Sequence, residues 1–105
     1  MSGLFAHETL TAYQMALDVA RWVRAARFAA GDADLQNQAR RAAASMVLNI
    51  AEGVSSTKGN RGKHLAFAKG SAAETAACLE LAGLAGHEAQ VAKLRRVKSM
   101  LGRLR

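Results

Sequence analysis

RRAAASMVLNIAEG, residues 40–53, decides how the chain is read. Two arginines open it, and a run of alanines and aliphatics follows, as in a helix meant for burial. Where another apolar turn is due it places Asn49 and Glu52 and reaches Gly53. The apolar positions around it fall on two stripes. Leu35, Ala39, Ala42, Met46 and Ile50 form one, and Ala43, Val47, Ile50 and Val54 the other. The spacing of three and four is that of a helix, expected from about Asp34 to Gly53, and two stripes call for neighbours on two sides.

Working outward, the same period appears three more times. Leu10, Tyr13, Leu17 and Ala20, widened by Val19, Trp22, Val23 and Ala26, predict a first helix from Glu8 to Ala30. Gly31 is suited to end it, with Asp32 or Asp34 capping the next. Leu65, Ala68, Ala72, Thr75, Leu79 and Ala82 predict a third helix from Lys63 to Leu84, with Gly70 inside it. A mid-helix glycine costs about 1 kcal/mol against alanine, which suggests the close approach of another backbone. Leu94, Val97, Leu101 and Leu104 give the narrow seam of a fourth helix after a break at Gly86–Glu88. Between the second and third helices SSTKGNRGK, residues 55–63, is expected to be an exposed basic loop.

Composition agrees. The chain of 105 residues has the length of one domain; it contains no proline, and aromatics are 5% of it. The core must then be made of Ala, Leu, Val and Met, in helices that pack closely. The expected fold is all-α, an antiparallel up-down four-helix bundle spanning residues 1–105. Trp22 and Phe28 are expected to stay exposed and, with the second stripe of the second helix, to leave apolar surface that self-association would cover.

The net charge of +7 is uneven. Residues 1–88 carry nine basic and eight acidic groups, whereas beyond Glu88 there are six cations and no acid. Such a concentration attracts polyanions. The candidate nucleic-acid contacts are Arg40, Arg41, Lys58, Arg61 and Lys63 at one end, and Lys93, Arg95, Arg96 and Lys98 along the fourth helix. Adjacent arginines diverge by about 100° on a helix, so for Arg40 and Arg41 both ion pairing and phosphate contact stay open. Backbone neutralisation would be salt-dependent and indifferent to sequence. No stacking platform, zinc finger or RNP motif is present.

Other functional classes find little support. Lone Cys78 has no intrachain disulfide partner and fits a reducing cytoplasm. His7, His64 and His87 lack metal-ligand spacing and read as surface residues. The glycine- and lysine-bearing loop lacks GxxxxGK[ST], and GSAAE is not GxSxG. No catalytic constellation, cofactor or metal site is expected. KLRRVKSMLGRLR, residues 93–105, has leucines on one side and cations on the other, but its short apolar seam is better used in closing the bundle than on a membrane. Neither a signal peptide nor a membrane span of about 18 apolar residues is visible. A buried carboxylate needs partners, so Glu52 is expected to be hydrogen-bonded to a helix N-terminus or a basic side chain. With Asn49 it would lock the helices in register.

RRAAASMVLNIAEG together with FAKGSAAET, residues 67–75, resembles the paired signature of the small four-helix-bundle proteins encoded in intervening sequences of bacterial 23S ribosomal RNA genes. The accessory proteins of diversity-generating retroelements are similar. YQMALDVARWV, residues 13–23, matches loosely, and the fourth helix by position and periodicity only. The resemblance implies a left-handed bundle assembled into a ring, typically a homopentamer, with a basic surface. For the retroelement relatives it also implies nucleic-acid binding. Its signature positions here are Arg40, Arg41, Asn49, Glu52, Gly53, Gly70, Ser71 and Glu74, with an architectural role. Two departures stand out: Val47 occupies a position where the family commonly has proline, and the arginine expected soon after the Glu-Gly pair has only Lys58 and Arg61 as candidates. The functional expectation is a non-enzymatic oligomer that binds RNA or DNA or docks a nucleic-acid enzyme, such as a reverse transcriptase. The alternative is a structural adaptor without nucleic-acid binding.

Overall fold

The computed structural model describes residues 10–104, the Lys58 side chain excepted. His7, Glu8, Arg105 and the expected phosphate contact of Lys58 lie outside the described residues. Four helices follow in order: α1 (Thr11–Ala25), α2 (Ala33–Ser55), α3 (Lys58–Ala82) and α4 (His87–Gly102). Each packs on the helix before and after it in the chain where there is one, and α4 closes back on α1. This cyclic, antiparallel arrangement is the up-down four-helix bundle expected from the four periodic segments.

Small residues make the inner faces. Ala12, Ala16, Val19, Ala20 and Val23 of α1 are buried, as are Ala39, Ala42 and Ala43 of α2 and Ala68 and Ala72 of α3. Met46, Ile50, Leu79, Leu94 and Leu101 fill the middle, each contributing about 2 kcal/mol by leaving water. Thr75 is fully enclosed, and its hydroxyl donates to the Ser71 carbonyl at 2.7 Å. That bond removes the penalty of an unpartnered buried oxygen.

Several boundaries differ from the sequence reading. α1 stops at Ala25, five residues before the expected Ala30. There Ala26 turns to an extended conformation, and its N–H still donates to the Trp22 carbonyl at 2.9 Å. Gly31 is left-handed, φ 100°, but the Asp32 side chain makes no capping bond to α2. α2 runs through Gly53 to Ser55. The expected basic loop is absent: only Ser56 and Thr57 separate the helices, and α3 starts at Lys58. The Thr57 carbonyl accepts from the Asn60 and Arg61 amides at 3.1 and 2.9 Å, opening the first turn. Gly59 and Gly62 each weaken this turn by about 1 kcal/mol, but tertiary contacts outweigh them. Leu65 is buried over Gly53, where an added Cβ would come within 3.0 Å of its Cδ2.

The close approach therefore occurs at Gly53. An added Cβ on Gly70 would meet nothing within 4 Å. Trp22 and Phe28 are half-buried against the core rather than exposed. Among the described residues the large apolar side chains left outside are Leu48, Phe67 and Leu81, at 67%, 53% and 77% exposure.

Candidate nucleic-acid interface

The signature residues build a polar joint between α2 and α3. Asn49 lies on the α2 flank that faces α3. Its Nδ2 donates to the Ser45 carbonyl at 2.9 Å and to Ser45 Oγ at 3.2 Å. Its Oδ1 accepts from His64 Nδ1 at 3.1 Å. A carbonyl oxygen can only accept, so Nδ1 of His64 carries the proton. One turn away Ser71 Oγ donates to Ser45 Oγ at 3.0 Å. Further along, Gln38 Nε2 donates to Glu74 Oε2 at 3.3 Å. Asn49, Ser71 and Glu74 thus bridge the two helices, and Gly53 admits Leu65.

Glu52 does not take part. It is exposed, and among the described residues its carboxylate has no partner; only its backbone carbonyl is engaged, by Ser56 Oγ at 2.6 Å. Three residues beyond Asn49 on a helix is a rotation of about 60°. That rotation carries position 52 from between the helices to their outer edge, where water solvates the charge. Ser45 and His64 complete the joint, although neither carries a signal that sequence reasoning picks out. His64, expected at the surface, is half-buried in it.

The basic residues divide by role. Arg40 is half-buried, and its Nη2 donates to the Arg24 carbonyl at 3.0 Å, in the last turn of α1. The Gln36 side-chain oxygen, turned toward the same guanidinium, accepts from it at 2.7 and 3.3 Å. A cation on the final carbonyls of a helix is favoured by the macrodipole. Arg40 is thus an α1–α2 tie, and the ion pair left open by the sequence does not form among the described residues. Arg41 points outward and is exposed. Arg61 is half-buried with its Nε unpartnered among the described residues, and Lys63 is exposed.

On α4 the Leu94–Val97–Leu101 seam faces inward, which turns Arg95, Arg96 and Lys98 to solvent and leaves Lys93 half-buried. Arg95 and Lys98 edge a groove of about 200 Å³ floored by Ala72, Ala73 and Ala76 of α3. Because α4 runs back toward the α2–α3 turn, this strip leads to the end that holds Arg61 and Lys63. Of the candidates whose side chains are described, Lys93, Arg95, Arg96 and Lys98 form the strip and Arg61 and Lys63 the end, while Arg40 and Arg41, about four turns before the α2–α3 turn, belong to neither.

Among the described residues the one salt bridge within 4.0 Å joins His87 to its neighbour Glu88. No lysine or arginine is ion-paired there. No group of three metal-binding side chains occurs among the described residues, and no helix is long and apolar enough to cross a membrane.

Comparison with known proteins is consistent with this geometry. A family model described as 23S rRNA-intervening sequence protein matches residues 8–102. No curated protein and no solved structure matches the chain. The matched span takes in all four helices, the α2–α3 joint included, and the chain belongs to the 23S rRNA-intervening sequence protein family.

Proposed function

We propose that this chain is a non-enzymatic helical bundle that assembles into a ring, a homopentamer by the family resemblance, and binds RNA or DNA through its basic surface. The observation that carries the reading is the absence of Lys/Arg ion pairs among the described residues. Arg95, Arg96 and Lys98 are exposed on α4 and Arg103 just beyond its end, and no acid follows Glu88 among the described residues. Their charge is not spent inside the molecule, and a phosphate backbone is its natural complement. Ribosomal RNA and a nucleic-acid enzyme such as a reverse transcriptase are the partner classes in view. Ring closure needs two different faces in contact. One available face is the groove of about 340 Å³ between α1 and α2, lined by Leu17, Ala20, Val47 and Leu48 with Arg21 and Arg24 beside them.

Binding to duplex DNA and to ribosomal RNA, followed by filter retention against salt, tests the proposal. Four phosphate contacts give a slope of log K on log salt of about −3.6, and removing two cations reduces its magnitude by about 2. The double charge reversal Arg95→Glu, Lys98→Glu should therefore weaken binding regardless of sequence. No binding at low salt would leave the adaptor reading, which the exposed Leu48, Phe67 and Leu81 favour. In that case charge reversal on α4 would not affect partner binding. Light scattering tests the ring, which a monomer at micromolar concentration would defeat.

A further inference from the structure

α3 is apolar on both of its sides. Leu65, Ala68, Ala72 and Leu79 are buried in the bundle, whereas Ala66, Phe67, Gly70, Ala77 and Leu81 are exposed on the outside. From Ala66 to Leu81 the exposed charges are both acidic, Glu74 and Glu80. A helix that is apolar all round is normally covered all round, and one copy of the chain leaves this outer ridge bare. The α1–α2 groove of about 340 Å³ has the complementary character. It is lined by Leu17, Ala20, Ala44, Val47 and Leu48, and its charges are the exposed cations Arg21 and Arg24, neither of them in a salt bridge among the described residues.

Internal bonds fix how the two surfaces stand along the bundle. Gln38 of α2 reaches Glu74, and Arg40, two residues on, reaches the Arg24 carbonyl, so Arg24 and Glu74 are at about one height. Ser45 bonds to Ser71 while its neighbour Ala44 lines the groove with Ala20, which puts Gly70 level with Ala20. Between that bond and the one from Asn49 to His64, Phe67 falls level with Leu48 and Leu17. Direction is fixed as well. Because the helices pack in a cycle, the α1–α2 groove looks out in the direction that runs from α3 to α2. His64 and Ser71 point that way, and Phe67 and Gly70 are rotated from them by about 60° and 100°. The ridge therefore faces roughly at a right angle to the groove.

We propose, resting on the ring reading above, that closure seats the α3 ridge of one copy in the α1–α2 groove of the next. Rotation about an axis parallel to the bundle leaves heights unchanged, so groups at one height meet between copies. Phe67 enters beside Leu17 and Leu48 of the next copy, Gly70 passes over its Ala20 and Ala44, and Glu74 reaches its Arg24. The apolar centre supplies the attraction and the charges set the register. Gly70 thereby acquires a purpose: nothing in its own chain lies within 4 Å of an added Cβ, and its bare backbone lets two helices approach closely. The two contact directions of a five-membered ring subtend about 108°, near the right angle between groove and ridge. Their bisector passes through α2. α2 then lines the inside of the ring and α4 stays on the outside, where Arg95, Arg96 and Lys98 remain open to a phosphate backbone.

Sedimentation velocity of the whole chain and its variants tests this seating. The wild type should run as a ring. Gly70→Leu should release monomers whose helix content, followed by circular dichroism, equals or exceeds that of the wild type, because the position is exposed and leucine is a better helix former than glycine. Arg24→Glu or Glu74→Arg alone brings like charges together and should weaken association about tenfold or more. The double variant Arg24→Glu, Glu74→Arg should restore the ring, because the two positions meet between copies. Rings that survive Gly70→Leu would overturn the seating and leave a ring closed through other faces. Single reversals without effect would do the same, as would a double variant that stays dissociated. A wild-type monomer would overturn the ring itself and the seating with it.

Discussion

Asn49 and His64 meet across α2 and α3 at 3.1 Å, and through Ser45 the same asparagine is linked to Ser71. The four side chains form one half-buried hydrogen-bonded chain in which Asn49 uses both ends of its amide. Such a residue specifies register, since sliding α3 by one turn would take His64 from Asn49 Oδ1 and Ser71 from Ser45 Oγ. Asn49→Ala should lower the unfolding free energy by about 1–3 kcal/mol, the range for removing one member of a buried polar pair. Urea denaturation checks this. A midpoint equal to that of the wild type would show that the joint contributes nothing to stability.

The beginning of α3 makes a second prediction. Gly62 lies inside the helix and is exposed, and a Cβ added there would meet nothing within 4 Å, whereas one added at Gly53 would meet Leu65 at 3.0 Å. Gly62→Ala should therefore stabilise the protein by up to about 1 kcal/mol through helix propensity. Gly53→Leu must displace buried Leu65 and should cost about 1–3 kcal/mol. Thermal unfolding of the two variants should move in opposite directions. If residues 58–62 were a loop, the alanine at position 62 would give no such gain.

These positions also show how much of the molecule is legible in the sequence. The four helices are readable because their apolar residues repeat at three and four, and Asn49 because it interrupts such a stripe. Its partners are not, because they depend on how many residues the turn consumes. Two glycines among polar residues look like a loop, and a loop over residues 55–63 hides the pairing of position 49 with 64. The role of Arg40 is hidden for a similar reason: its acceptor is the backbone carbonyl of Arg24, and a carbonyl has no signature in the sequence. Glu52 is misplaced by sequence reasoning because position 52 is rotated by about 60° from position 49, enough to separate a joint from an edge.

Arg40 gives the third prediction. Its guanidinium holds the Arg24 carbonyl and the Gln36 side chain, and its stem is half-buried. Arg40→Met keeps the stem and removes the donors, so it should destabilise the fold by about 1 kcal/mol. Lysine is not an adequate substitute, because one ammonium cannot present the planar fork that reaches both acceptors. Calorimetry should show the loss. Nucleic-acid binding by the folded variant should match that of the wild type, in contrast to the Arg95, Lys98 charge reversal.

Cys78 sets the pH dependence. Burial pushes its thiol above the ordinary value of about 8.5, and the charge of Glu74, one turn earlier on α3, adds to the rise. A folded-state pKa raised above that of the unfolded chain leaves stability intact below about pH 8.5, where both states hold the proton. Above it the unfolded chain loses its proton first, and stability falls by at most about 1.4 kcal/mol per pH unit until the pH passes the folded value. Tyrosine and lysine titrate in the same alkaline range, so the contribution is read as the difference between wild type and Cys78→Ala. That difference should be flat from about pH 6 to 8 and shift against the wild type between about pH 8.5 and 10. In parallel, the native thiol should react slowly with a disulfide reagent at about pH 8 and quickly once unfolded, because the thiolate is the nucleophile. Glu74→Gln should lower the native thiol's pKa only partway, since burial is the larger cause. A difference curve without slope above about pH 8.5, together with fast native labelling, would place the Cys78 sulfur in water rather than in the core.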